Sequence, residues 1–113
     1  MGADLYIDDT TKGYFRDSYN DFSILWKFNL SWWENVLDVY TDADGEMSPE
    51  NAMHFLQTLK ECEPIFDENL KRMGANLDEN AEEDCKYYKK RYKELKAFLR
   101  RAIRLGKCIQ SWL

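Results

Sequence analysis

Residues 14–40 read YFRDSYNDFSILWKFNLSWWENVLDVY, and the reading of this stretch decides the fold. Nine aromatic residues fall within it: Tyr14, Phe15, Tyr19, Phe22, Trp26, Phe28, Trp32, Trp33 and Tyr40. Each large aromatic ring buries much apolar surface, so the core nucleates here. Asn20 to Phe28 predicts a first helix. On a helical wheel Phe22, Ile24, Leu25, Trp26 and Phe28 cover more than half the circumference, with Ser23 and Lys27 as the polar wedge. Asn29 suits a left-handed terminator. Ser31-Trp32-Trp33-Glu34 matches a capping box that opens a second helix running to about Tyr40. Its apolar arc takes in Trp32, Trp33, Val36, Leu37, Val39 and Tyr40, which places both tryptophans in the core.

Outward from this stretch, Leu5 to Ile7 alternates and Asp8 to Gly13 reads as a turn, which predicts a short strand or extended arm. On the other side, Ser48-Pro49-Glu50 is a cap followed by a first-turn proline, and Ala52, Phe55, Leu56, Leu59 and Cys62 form the stripe of a third helix. Glu63-Pro64 interrupts it, because the residue before proline is pushed out of the helical region. Phe66, Leu70 and Met73 then mark a short fourth helix ending at Gly74. The clearest element is the last helix, Glu79 to Leu105. Ala81, Cys85, Tyr88, Tyr92, Leu95, Leu99 and Ala102 alternate four-three spacings along it. Gly106 closes it. Cys108 to Leu113 reads as extended and is expected to pair with Leu5–Ile7. The sequence therefore predicts a mostly α fold: one helical domain over residues 1–113, a compact bundle of four to five helices with a long C-terminal helix and short extended terminal segments.

The formal net charge is -5 over 113 residues. Residues 1–85 hold 6 basic and 20 acidic side chains, and residues 86–113 hold 10 basic and one acidic. This polarity complements the dipole of the last helix. Lys86, Lys89, Lys90, Arg91, Lys93 and Lys96, interleaved with Tyr87, Tyr88 and Tyr92, form the best nucleic-acid patch. Against it stand their spread around the helix and the acidic chain as a whole, so nucleic acid is disfavoured. No apolar run approaches a membrane span, and no signal peptide is expected. Three cysteines without a C-x-x-C pair fit free thiols in a reducing, cytoplasmic setting.

No catalytic residue, metal site or cofactor is expected. Asp42, Asp44 and Gly45 fall in a calcium-loop frame, yet Tyr40 and Asn51 occupy two positions that need ligands. His54, the only histidine, sits on the polar side of its helix and lacks partners for zinc or a triad. Phosphate-loop and hydrolase motifs are absent from the sequence. The sharpest candidate is a binding cleft beside Tyr14, Arg16, Asp17, Tyr19 and Trp26, because this polar run adjoins the most hydrophobic segment. Its rival is a capping network, with Ser18 or Asn20 as cap and Arg16 paired to Asp17.

The motifs Gly13-Tyr14-Phe15-Arg16-Asp17-Ser18-Tyr19-Asn20, Leu25-Trp26-Lys27-Phe28 and Leu30-Ser31-Trp32-Trp33 resemble those of small bacterial proteins of unknown function. Those proteins share a similar Met1-Gly2-Ala3-Asp4-Leu5-Tyr6 start. The resemblance extends loosely through Glu63-Pro64 and Leu95-Lys96-Ala97-Phe98-Leu99. In that family a longer helical segment often precedes the Gly-Tyr-Phe-Arg-Asp motif, whereas here only Ile7 to Lys12 intervenes. The resemblance implies no activity. The expected function is a small interaction or scaffold module without catalysis, its protein partner undefined, self-associating through exposed parts of the long helix seam. One alternative is an acidic inhibitor-like protein that covers a basic nucleic-acid-binding surface. The other is a small-molecule binding domain using the Arg16 cleft.

Overall fold

Alternation in the first residues becomes a strand, and that strand organises the molecule. In the computed structural model, which describes residues 2–8, 10–18, 22–75 and 80–113, β1 (Gly2–Tyr6) pairs antiparallel with β2 (Tyr14–Ser18). Its other side pairs antiparallel with β4 (Ile109–Trp112), in the register Asp4 to Trp112 and Tyr6 to Gln110. The expected pairing of the two end segments is thus present. A two-residue β3 (Glu46–Met47) completes a four-stranded sheet in the order β2-β1-β4-β3.

The expectation of a mostly α bundle is therefore wrong: the protein is a mixed fold in which helices cover one face of an antiparallel sheet. The error has a definite origin in β2. Strand alternation places Phe15 and Asp17 on the inner face and Tyr14 and Arg16 on the outer one. An inward aspartate breaks the apolar-in, polar-out pattern by which a half-buried strand is recognised. Asp17 is nonetheless 3% exposed. Its Oδ2 accepts hydrogen bonds from Ser23 Oγ (2.8 Å), the Ile24 amide (3.0 Å) and Trp33 Nε1 (2.6 Å). Burial of a carboxylate is tolerated because charge-assisted hydrogen bonds replace its hydration.

The same carboxylate reshapes the aromatic stretch. The expected first helix is only a 3-10 turn, Ile24–Phe28, with Ser23 as its cap and Asn29 in the left-handed region at φ 56°. Asn20, where that helix was expected to begin, lies outside the described residues. Helix α1 (Trp33–Tyr40) has no side-chain cap; Ser31 Oγ instead accepts from Asn35 Nδ2. Trp33 is buried at 1% exposure, but Trp32 is 39% exposed and Val39 72%, so the expected inward placement of both tryptophans is corrected.

The remaining helices form as their local signals demand. Ser48 Oγ accepts from the Asn51 amide at the start of α2 (Pro49–Glu61). Cys62 turns the chain before α3 (Glu63–Ala75). Helix α4 (Ala81–Leu105) ends at Gly106, φ 64°. Its 25 residues make a rod of about 37 Å. Leu5, Ile24, Leu25, Phe55, Leu59, Leu95, Leu99 and Ile109 have no exposed surface and form the centre of the core between sheet and helices. The seam of α4 is consumed there, since Tyr88, Tyr92, Leu95, Leu99 and Ala102 are buried. These seam residues therefore belong to the core, with Cys85 half-buried.

Candidate functional site

Strand β2 lies at one edge of the sheet, and α4 runs alongside it. The loop between β1 and β2 fixes their separation. Asp8 Oδ1 accepts from the amide and hydroxyl of Thr10, and Asp8 Oδ2 pairs with Arg101 Nη2 at 3.0 Å. The loop passes so close to itself at Gly13 that a Cβ there would lie 2.0 Å from Asp8 Oδ1. Hydrogen bonds from Thr10, then the Arg101 contact, hold the Asp8 carboxyl down at about 2.

A groove opens between β2 and α4 as two adjoining cavities of about 630 and 540 Å³ that share Arg16, Arg91 and Glu94. The larger has Phe15, Ala97 and Phe98 as its apolar lining, with Lys12, Arg16, Arg91, Arg101 and Arg104 as cations and Glu94 as the one carboxylate among its lining residues. The Phe15 and Phe98 ring centroids are 6.0 Å apart. Ser18, Tyr87 and Lys90 line the smaller cavity. Arg91 is the structural member of the set. Its guanidinium lies 4.4 Å above the Phe15 ring, contacts Glu94 at 2.5 Å and donates to the Arg16 carbonyl. Arg16 is 58% exposed and 3.8 Å from Asp4. Arg101 Nε is buried with no hydrogen-bond partner among the described residues.

Of the five residues expected to form a cleft, the structure brings three to the groove. Tyr14 and Arg16 line the groove. Tyr14 donates to Asp4 Oδ1, and this hydrogen bond to a carboxylate, more than burial, raises its phenol above the ordinary range. Asp17 touches the smaller cavity, but its hydrogen bonds point inward and its role is structural. Trp26 packs edge-on against Trp32, ring centroids 4.7 Å apart, and lines neither cavity of the groove. Tyr19 lies outside the described residues. The proposed Arg16–Asp17 pair is replaced by Arg16–Asp4 across the β1–β2 register. The groove arginines of α4 went unforeseen. Phe98, apolar yet off the heptad seam, was the available signal that another element packs on that side of α4.

The other candidates have local duties. Asp42 Oδ1 accepts from the amides of Asp44 and Glu46 and so shapes the turn into β3. His54 is exposed beside Glu50. Among the described residues no group of three or more side chains could hold a metal ion, and no helix is long and apolar enough to cross a membrane. No family model matches the chain, and neither a curated protein nor a solved structure matches it at a significant level.

Proposed function

We propose that the protein is a non-catalytic binding module that holds an anionic partner in the groove between β2 and α4. One observation carries this reading: on a chain of net charge -5, five cations converge on the larger, apolar-floored cavity of the groove, with Glu94 as the one carboxylate among that cavity's lining residues. Such concentration of charge against the chain's own sign provides local attraction for an anion despite overall repulsion. Glu94 offsets Arg91, Asp8 pairs with Arg101 and Asp4 lies 3.8 Å from Arg16, which leaves Lys12 and Arg104 without an ion pair among the described residues as the cations free to meet an anion. The groove volume lies in the range of ordinary ligand sites, and its mix of apolar floor and few polar groups suits them. The three free thiols agree with a reducing compartment.

Heparin-agarose tests the reading with a generic polyanion. The acidic wild-type protein is expected to be retained at low ionic strength and to elute as salt screens the charges. The double variant R16E/R104E is expected in the flow-through, with an unchanged circular dichroism spectrum. Wild-type protein that passes straight through would overturn the reading.

A further inference from the structure

We propose, resting on that reading, that the natural occupant of the groove is a single-stranded nucleic acid. The cations of α4 do not stop at the groove. Lys86, Lys89, Lys90, Lys93, Arg100 and Arg104 are all exposed, and on a helical wheel they fall within a sector of about 100°. The three basic residues of α4 outside that sector are the ones the fold engages elsewhere, Arg101 with Asp8. Arg91 turns onto Phe15, and Lys96 sits 4.3 Å over the Tyr92 ring beside Glu63. What is left is a basic ridge of about 27 Å beside the groove, interrupted only at Ala97 between Lys93 and Arg100. That length matches a short single-strand site of four or more nucleotides.

Rings stand at both ends of this track. Tyr87 is 44% exposed and lines the groove next to Lys90. At the other end Tyr14, 38% exposed, stacks on Tyr6 at 4.9 Å between ring centroids. A backbone phosphate row along α4 would set unpaired bases against these rings, where stacking adds sequence-tolerant affinity. An acidic peptide satisfies the cations but has no use for the flanking rings. A duplex keeps its bases stacked inside and offers no unpaired base face to these rings.

Fluorescence anisotropy of a labelled oligothymidine at low salt tests the proposal. Binding is expected to weaken with added salt at a slope of roughly -0.7 per phosphate contact, so R104E flattens the log-log plot by about that amount. Tyr87→Ala is expected to weaken binding about tenfold, and Tyr87→Phe to preserve it. Tyr87 is exposed, so neither variant threatens the fold. Equal competition by hexaglutamate, binding to anionic vesicles without binding to the oligonucleotide, or preference for duplex would each overturn the nucleic-acid assignment. Retention on heparin with no oligonucleotide binding would sink this proposal and leave the anionic groove standing; loss of both would remove the groove reading as well.

Discussion

Asp17 accepts hydrogen bonds from three donors that belong to the 3-10 turn and to α1, so a single carboxylate ties β2 to everything that follows it. Replacing it by alanine strands buried donors, each costing about 1–3 kcal/mol. Urea unfolding of Asp17→Ala should therefore show a loss of about 3–5 kcal/mol. Trp33→Phe keeps most of the ring and removes one charge-assisted bond, for an expected loss of about 2 kcal/mol. Asp8 makes a pH-dependent contribution. Its folded pKa of about 2 lies below the ordinary carboxylate value, so its stabilisation is present above about pH 4 and is lost as pH falls toward 2. In thermal melts across that window, wild-type and Asp8→Asn proteins should differ most at the upper end and converge at the lower.

Among the elements, the helices α2, α3 and α4 were legible because each follows its own local rule: a Ser-Pro start, a Glu-Pro break, a heptad seam. The pairing of the two end segments was legible too, as two short apolar runs far apart in the sequence, though its antiparallel direction comes from the structure. Strand β2 was not, since its decisive inward residue is polar and its justification lies 16 residues away at Trp33. The groove was half legible for the same reason. Tyr14 and Arg16 announced themselves by position, whereas Arg91, Arg101 and Arg104 acquire their role only when α4 is laid beside β2. Arg91 also guards that strand, occupying the Arg16 carbonyl on the open side of an edge that would otherwise invite another strand. Arg91→Ala is expected to lower stability by about 1–2 kcal/mol and to promote concentration-dependent association in sedimentation velocity. Arg91→Lys should recover only part of this, because an ammonium cannot serve a carbonyl, a carboxylate and a ring face at once.

At the scale of the whole molecule, the tryptophans report the architecture. Trp33 is enclosed, Trp32 is partly open, and Trp112 is 66% exposed on β4. Iodide should quench only a fraction of the emission, and Trp112→Phe should shift the remaining spectrum to the blue. The same sheet sets an order of assembly. Strand β1 has β2 as an early neighbour, yet its other neighbour is supplied by residues 109–112. During synthesis β1 and β2 must therefore emerge with one flank of β1 bare and stay so until residues 109–112 have left the ribosome. Final zipping of the molecule is a long-range event, which places its rate-setting step late and gives chaperones a defined surface to shield meanwhile.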